Sequence, residues 1–235
     1  MSKRMSTSAT FDVDSATLVD HGFMVIRDAV SQQDINDIAA LIEEQHWDKG
    51  STQLMQNIHG KAAAGYRIAL CEPIQATLKS VFGCSFFVWA STLLVKQSGV
   101  ASSVRWHQDG VYWPNFPKGS VSAWIAIDPA PVCSGCLSVV PGSHCMGAMP
   151  IKLKEAPKAG FNFDRHEAQF SAPMQTVHLP CKSGDIVLFS DLLIHGSAPQ
   201  TKLARRAALV IRYVAADVQV PAHWREGSID CPVEA

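Results

Sequence analysis

The chain has 235 residues, and its 47% hydrophobic and 17% charged content is typical of a globular protein with a sizeable core. Its 20 basic and 21 acidic residues nearly cancel and form no basic block, which argues against nucleic acid as a partner. The longest uncharged run, residues 80–95, is too short to span a bilayer. The first residues lack the apolar stretch of a signal peptide. We therefore expect a cytoplasmic protein without membrane contact.

The first third of the chain is expected to form a helical flank. A short helical segment precedes a predicted strand, GFMVIRDAV, and an amphipathic helix, SQQDINDIAALIEEQH. Ser31 is the predicted N-cap of that helix, with Asp34 at the capping-box position. Residues 48–66 are predicted to be a polar loop, and EPIQATLKSVFG a further helix. The predicted buried face of the first long helix consists of Ile35, Ile38, Leu41 and Ile42.

From residue 84 onward the chain is expected to consist of short strands. Runs of β-branched and aromatic residues are separated by Gly, Pro and Ser, which is typical of a sandwich or a closed roll. A long segment, residues 147–172, interrupts them and is predicted to be a functional lid or a disordered loop. We therefore expect one domain over residues 1–235, with a helical flank over about 12–83 and a β core over about 84–216. The predicted strands are FFVWASTLLVKQ, SVRWHQD, SVSAWIAIDP, CLSVVPGS, QTVHLP, DIVLFSDLLIHGSA and RAALVIRYVA.

The seven cysteines do not predict a disulfide framework. Their number is odd and their spacing irregular, from Cys71 to Cys231. Cys133 and Cys136 form a CSGC motif without a second pair of ligands nearby. We interpret it as a turn around Gly135 with small buried thiols; a redox or zinc pair is the alternative.

A histidine and a carboxylate stand close together in the segment WHQDGVYW. His107 and Asp109 are two residues apart, so on a strand both side chains point to the same face. A second histidine, His195, ends the later predicted strand DIVLFSDLLIHGS. Two imidazoles and one carboxylate form the facial triad that suits non-haem Fe(II) and leaves positions open for a co-substrate and O₂. The HxD pair alone is a weak signal, because a strand histidine is more often packed or exposed.

Arg206, at the start of the last predicted strand, is the candidate anion-binding residue. If buried, its guanidinium requires a paired anion, and its fork suits a carboxylate. A dicarboxylate co-substrate can chelate the metal with one end and bind Arg206 with the other. The alternative is a surface arginine, which is our interpretation of Arg205. Arg212 lies six residues further on the same strand face, where it can meet another anionic group.

Several segments together resemble the phytanoyl-CoA dioxygenase family of Fe(II)- and 2-oxoglutarate-dependent oxygenases. The resemblance covers most of the chain, including its N-terminal segment DHGFMVIRDAVSQQDINDI. It implies a mainly β fold with flanking helices around a double-stranded β-helix, a cupin-like jelly roll. It also implies His107, Asp109 and His195 as the catalytic iron ligands. The matching segments are WHQDGVYW, SAWIAIDPAP, GCLSVVPGSHCMG, GDIVLF and HGSAPQTKLARRAALVIRY.

By the same resemblance, Arg206 binds the 5-carboxylate of 2-oxoglutarate with Ser197 beside it, and Trp124 lines the co-substrate pocket; plain core packing is the alternative for Trp124. Lys96 stands at a position that is commonly lysine in the family. The implied enzyme is an oxidoreductase that uses Fe(II), 2-oxoglutarate and O₂ to hydroxylate, desaturate or cyclise a small molecule, releasing succinate and CO₂. The short chain and the compact segment 48–66 argue against a large acyl-CoA substrate.

Other functions and other residues stay open on the sequence alone. The alternatives are a cupin-like metalloenzyme that does not use 2-oxoglutarate and a degenerate, non-catalytic binding module. A halogenase is disfavoured, because its halide would need the position of the Asp109 carboxylate. We expect an amino-acid-like molecule, a natural-product intermediate or a small lipid acid as substrate, and the oligomeric state is not predicted. Candidate substrate contacts are Met55, Gln56, Asn57, His59, Arg67, Arg105 and His144, and candidate apolar wall residues are Trp106, Tyr112, Trp113 and Phe116.

Overall fold

Helices come first and strands dominate the rest of the chain. The computed structural model describes residues 11–14, 16–45, 53–97, 102–112, 119–155, 166–170, 174–200, 204–220 and 227–232. The helices in this part are α1 (Leu18–His21), α2 (Gln32–Glu43), α3 (Ile58–Lys61), α4 (Ala63–Ala69) and α5 (Glu72–Phe82). The strands are β1 (Phe23–Ile26), β2 (Gln53–Gln56), β3 (Phe86–Lys96), β4 (Val104–His107), β5 (Val121–Ala126), β6 (Leu137–Val139), β7 (Ile151–Leu153), β8 (His166–Ala168), β9 (Val177–Leu179), β10 (Ile186–Ser190), β11 (His195–Ser197), β12 (Arg206–Ala215) and β13 (Ile229–Cys231).

Two antiparallel sheets form the body of the molecule. The large sheet has the order β1-β10-β5-β12-β3-β13, and β2 also pairs with β3. The small sheet has the order β4-β11-β6-β9. The remaining two strands, β7 and β8, pair only with each other. This is the mainly β architecture that the sequence predicts.

The large sheet is buried on both faces. One face, which includes Ile125, Leu209 and Ile211, packs against helices α2, α4 and α5. The other face packs against the small sheet, with Trp124 and Val210 among its residues. Because side chains alternate along a strand, a strand covered on both faces becomes an almost continuous apolar run. All six residues of β5 are buried for this reason.

Several predicted elements are confirmed. Helix α2 begins after Ser31, whose Oγ accepts a hydrogen bond from the backbone N–H of Asp34 at 3.1 Å. Ile35, Ile38 and Ile42 are buried, while the fourth predicted residue of that face is only partly so. The strand predicted in GFMVIRDAV is β1, and the helix predicted in EPIQATLKSVFG is α5.

The prediction of a polar loop over residues 48–66 is wrong for the residues that the structure describes. They form β2, α3 and the start of α4. Strand β2 exists because β3 offers unpaired backbone groups to it over Thr92–Val95. Asn57 then adopts a left-handed conformation with φ of 60°, which turns the chain directly from β2 into α3. Residues 48–52 lie outside the described part of the chain.

Two further predictions need correction. The run DIVLFSDLLIHGSA is two strands rather than one, because a turn after Ser190 carries the chain from β10 in the large sheet to β11 in the small sheet. The segment 147–172 contains β7 and β8 instead of being irregular throughout, while residues 156–165 lie outside the described part. Both N-terminal strands, β1 and β2, join the large sheet, so the flank contributes directly to the core.

The CSGC motif forms the predicted turn, but only one of its two thiols is buried as expected, because Cys133 is partly exposed. All seven are free. Cys133 lies in a short 3-10 helix that ends at Gly135, where φ is 67°, and Cys136 is buried. Among the described residues, none of the helices has the length and apolar character needed to cross a membrane.

Candidate active site

A cavity of about 450 Å³ lies between the two sheets. All six residues singled out by the sequence as the candidate site line it: His107, Asp109, Trp124, His195, Ser197 and Arg206. Its other lining residues come mainly from β2, β3 and β12. The fold therefore brings together residues that are far apart in the sequence.

Strand pairing brings the two histidines together. His107 ends β4 and His195 begins β11, and the two residues are direct partners in the register of the small sheet. Their ring centroids lie 4.2 Å apart. Asp109 reaches the site differently from the prediction, because β4 ends at His107 and Asp109 begins a short 3-10 helix. A hydrogen bond from Gly110 N–H to the Asp191 carbonyl at 3.0 Å fixes the start of that helix.

Three ligand atoms converge on one point. The Oδ1 atom of Asp109 lies 3.5 Å from His107 Nε2 and 3.7 Å from His195 Nε2. Two ligand atoms that each lie about 2.1 Å from a shared ion are about 3.0 Å apart when the ligand–metal–ligand angle is a right angle. They are at most about 4.2 Å apart, when they lie on opposite sides of the ion. The observed separations fall within these limits. All three side chains are buried, and their ligand atoms lie within 4.8 Å of one another.

Backbone carbonyls select the tautomer of both imidazoles. His107 Nδ1 lies 2.7 Å from the Arg105 carbonyl oxygen, and His195 Nδ1 lies 2.9 Å from the Leu193 carbonyl oxygen. A carbonyl only accepts, so each Nδ1 carries the proton and donates it. In the neutral form with Nδ1 protonated, each Nε2 presents a lone pair towards Asp109, which is the usual arrangement of histidines that bind metals.

The electrostatics of the site favour a cation between these atoms. Burial lowers the pKa of His195 to about 4, so its imidazole is neutral at pH 7. Burial acts to raise the pKa of Asp109, but the positive charge of Arg212 is the largest opposing influence, and that pKa is held well below its usual range. A carboxylate facing two imidazole lone pairs is a repulsive arrangement unless a positive charge lies between them. A metal ion fits this donor set.

Arg206 lies at the other end of the cavity and is almost completely buried. Its Nη2 donates to the Gly135 carbonyl at 3.0 Å and lies 3.5 Å from Ser197 Oγ, while its guanidinium carbon is 5.7 Å from the centre of the Trp124 ring. Burial lowers the pKa of Arg206 to about 10, so it is charged at pH 7. Within the described residues, its Nε has no hydrogen-bond partner and no carboxylate hydrogen-bonds to the guanidinium.

A second buried basic residue stands beside Arg206. Lys96 is its direct partner in the β12–β3 register, and its Nζ donates to Ser197 Oγ at 2.8 Å and to the Ala198 carbonyl at 3.1 Å. Gly135 permits this packing, because a Cβ there would lie 3.0 Å from Lys96 Nζ and even closer to the Ala198 carbonyl. This end of the cavity is therefore suited to an anion.

The other predicted contacts divide into two groups. Gln56, Asn57, Tyr112 and Arg212 line the cavity. Met55 packs against the core instead, and His59 is buried, with its ring nitrogens near Ser91 Oγ and the Gly227 carbonyl. Three residues bond elsewhere: Arg67 to Asp34 and Asp37, Arg105 to the Glu155 carbonyl, and His144 to the Val19 carbonyl.

The predicted aromatic wall is present only in part. The Tyr112 ring packs edge-on against the His107 ring, with centroids 5.6 Å apart. Trp106 precedes His107 on β4 and is not among the residues that line the cavity. Trp113 and Phe116 lie outside the described residues. Arg205 is also not the simple surface residue that we expected, because it forms ion pairs with Asp128 and Glu43 and is partly buried.

Several residues of the site were missed by the sequence analysis. Ser122 donates a hydrogen bond to Asp109, and its strand parity with Trp124 was the available signal. Gln108, between the two ligands, is fully buried and donates to the carbonyls of Gly147 and Leu192. Nothing local in the sequence predicts these contacts. Cavity residues that were also missed include Trp89, Ser91, Thr92 and Phe189.

Comparisons with known proteins identify a matching family model and several relatives. The family model described as "Phytanoyl-CoA dioxygenase (PhyH)" matches residues 18–208. Phytanoyl-CoA dioxygenase domain-containing protein 1 of Danio rerio is 29% identical over 172 residues, which cover 71% of this chain and 58% of that protein. The peroxisomal phytanoyl-CoA dioxygenase of Rattus norvegicus is 36% identical over 115 residues, covering 47% of this chain and 33% of that protein. The matches thus span about a third to three fifths of these relatives' lengths.

Solved structures share the fold. EvdO2 from Micromonospora carbonacea var. aurantiaca, complexed with 2-oxoglutarate, superposes with a TM-score of 0.70 at 18% identity, covering 93% of this chain and 96% of that one. The epimerase SnoN, in complex with Fe³⁺, alpha ketoglutarate and nogalamycin RO, gives a TM-score of 0.69 at 18% identity, covering 86% of this chain and 82% of that one. At this identity the likeness establishes the fold, which is the predicted double-stranded β-helix.

Proposed function

The chain belongs to the phytanoyl-CoA dioxygenase family, and on that basis we propose that it is an Fe(II)- and 2-oxoglutarate-dependent oxygenase that oxidises a small molecule. The observation that carries the proposal is one cavity with two chemically distinct ends. Three ligand atoms from two imidazoles and a carboxylate lie at one end, and a buried arginine lies at the other. A bidentate dicarboxylate that bridges a metal and a guanidinium fits this arrangement.

Fe(II) would be held by His107, Asp109 and His195. The imidazoles present Nε2 lone pairs because their Nδ1 protons are donated to backbone carbonyls. The carboxylate stays ionised because its pKa is held low. A set of two nitrogens and one oxygen without thiolate suits Fe(II) and leaves further coordination positions open.

2-Oxoglutarate would occupy the end of the cavity that contains Arg206, Ser197 and Trp124. A buried guanidinium is costly unless an anion compensates it, and the unpartnered Nε of Arg206 adds to that cost. A carboxylate of 2-oxoglutarate would supply this compensation. A metalloenzyme that does not use an anionic co-substrate would leave Arg206 uncompensated, which disfavours the cupin-like alternative and the non-catalytic one.

Each residue then has a defined task. Iron and 2-oxoglutarate, when bound, supply oxidation of a substrate C–H bond by O₂ with release of succinate and CO₂. His107, Asp109 and His195 fix the position of the reacting centre. Arg206 and Ser197 orient the far carboxylate, and Trp124 lines the cavity between the two ends.

The remaining cavity wall would receive the substrate. Gln56, Asn57, Thr92 and Arg212 provide polar groups there, and Tyr112 provides an aromatic face. We propose a small polar substrate, either an amino-acid-like molecule or a natural-product intermediate, oxidised in the cytoplasm by hydroxylation, desaturation or ring closure.

A substrate screen read out as succinate formation tests the proposal. The purified protein would be incubated with Fe(II), 2-oxoglutarate and O₂, together with sets of amino acids, natural-product intermediates and small lipid acids. We expect at least one set to stimulate succinate formation, with oxidised product in equal amount. His195→Ala serves as the inactive control, with circular dichroism to verify its fold. Turnover that is equal in this variant would contradict the proposed site.

A further inference from the structure

The two oxygens of the Asp109 carboxylate have different surroundings. Oδ1 faces His107 Nε2 at 3.5 Å and His195 Nε2 at 3.7 Å. Oδ2 accepts a hydrogen bond from Ser122 Oγ at 2.8 Å and lies 3.7 Å from Arg212 Nε. Each oxygen is therefore directed at a separate set of partners, and only one of them faces the metal position.

We propose that Ser122 and Arg212 are positioning residues that hold Oδ2 away from the metal, so that Asp109 binds it through Oδ1 alone. This inference rests on the proposed metal site and extends it to two residues on the large sheet. Neither residue is one of the three proposed metal ligands. They act through Asp109, by occupying the oxygen that would otherwise be available as a second ligand.

The register of the large sheet places this pair with little freedom. Arg212 on β12 and Ser122 on β5 are direct cross-strand partners, so both side chains point to the same face of the sheet. Ser122 is 1% exposed, and the Arg212 side chain is 16% exposed. Arg212 Nη1 donates to Thr92 Oγ1 at 3.4 Å, which links the guanidinium to the adjacent strand β3. The Asp109 carboxylate therefore meets one preformed hydrogen-bond donor, Ser122 Oγ, and the positive charge of Arg212 close beside it.

The proposed role has a consequence for the number of open coordination positions. A facial triad uses about three of six positions and leaves about three for a chelating co-substrate and O₂. A carboxylate that binds through both oxygens would occupy one of those open positions. Holding Oδ2 on the Ser122 hydroxyl and beside Arg212 keeps that position free.

The chain offers a matched control for Ser122. Ser120 is also 1% exposed and lies two residues earlier, but its Oγ donates to the Tyr213 carbonyl rather than to Asp109. Loss of its hydroxyl should therefore affect stability without affecting the metal. Arg212→Lys is the conservative counterpart of Arg212→Met, because it keeps a positive charge near Asp109.

Mn(II) titration and the relaxation rate of solvent water test the inference without turnover. We expect Ser122→Ala and Arg212→Met to raise the Kd for Mn(II) about 10- to 100-fold, as is typical for loss of a partner of a metal ligand. Because Oδ2 would then displace one of about three bound waters, the relaxivity of the bound metal should fall by about a third. Ser120→Ala should match the wild type in both measurements, and Arg212→Lys should recover part of the affinity.

If Ser122→Ala binds Mn(II) with the same Kd and relaxivity as the wild type, the inference is wrong, even if Arg212→Met fails to fold. Adding 2-oxoglutarate to the Fe(II)-loaded wild type separates this result from the proposed function. If Ser122→Ala raises the Kd for Mn(II) and lowers the relaxivity as expected, but the Fe(II)-loaded wild type does not bind 2-oxoglutarate, the positioning role is supported and the oxygenase is contradicted. A wild type that does not bind Mn(II) would overturn both.

Discussion

Replacing one of two adjacent arginines tests the co-substrate end of the cavity most sharply. Arg206 is buried against Trp124 and Ser197, whereas Arg205 points to the opposite face and pairs with Asp128 and Glu43. Arg206→Ala removes the guanidinium that would bind the 5-carboxylate of 2-oxoglutarate. Arg205→Ala removes the same chemical group one residue earlier, so it is the matched control.

The expected magnitude follows from the burial of Arg206, which is 2% exposed. Breaking one side of a buried charge pair costs about 3–5 kcal/mol. At about 1.4 kcal/mol per tenfold, this corresponds to a loss of roughly two to three and a half orders of magnitude in affinity. Lys96 remains close to Ser197 in the variant and offsets part of the loss. We therefore expect Arg206→Ala to raise the Kd for 2-oxoglutarate at least about a hundredfold.

Arg205→Ala should change the same Kd less than about threefold, because its partners lie outside the cavity and its ion pairs are partly exposed. It should instead lower the free energy of unfolding, since Asp128 also accepts a hydrogen bond from the Ala207 backbone at 2.9 Å. Calorimetric titration of 2-oxoglutarate into the anaerobic Fe(II) protein measures both variants. A large effect at Arg205 with none at Arg206 would refute the assigned role.

Three other predictions concern the metal end. Fe(II)-dependent succinate formation should be abolished, with an unchanged circular dichroism spectrum, in each of His107→Ala, Asp109→Ala and His195→Ala. Activity in any of these variants would argue against the ligand set. Asp109→Gly should lose substrate oxidation and gain at most weak chloride binding; efficient chlorination by the wild type would show that the reasoning about this carboxylate is wrong. Burial and the Asp109 charge raise the pKa of Asp191 to about 6. Between about pH 4 and 6 the folded state therefore keeps a proton that the unfolded chain has lost. The free energy of unfolding consequently falls as the pH rises through that window. Asp191→Asn should therefore stabilise the protein at pH 7.5 by up to about 3 kcal/mol and give no gain below about pH 4 in urea unfolding, whereas equal destabilisation at both pH values would contradict the prediction.

Elements with a strong local signal could be predicted from the sequence. The segment RAALVIRYVA is β12 over its full length, because alternating side chains on both faces of this central strand are apolar. The start of α2 follows from the Ser31 cap. The convergence of His107, Asp109 and His195, together with the burial of Arg206, agrees with the expectation that the family resemblance provided.

Features that depend on tertiary pairing could not be predicted. Strands β2 and β13 form because β3 is long enough to pair with both, and neither segment has a strong strand pattern of its own. The split between β10 and β11 depends on Ser190, whose Oγ accepts a hydrogen bond from the Leu192 backbone within an otherwise apolar run. The Ser122–Asp109 hydrogen bond joins the large sheet to the 3-10 helix after β4, so no local pattern contains it.

The most direct test of the oxygenase is the binding of 2-oxoglutarate to the Fe(II)-loaded protein without O₂. A 2-oxo acid that chelates Fe(II) through its oxo and carboxylate oxygens gives a visible charge-transfer absorption, so titration reports metal and co-substrate at once. We predict a saturable absorption with one equivalent of each in the wild type, and none in His195→Ala at the same concentrations. An absorption that persists in His195→Ala, or that never develops in the wild type, would contradict the central claim.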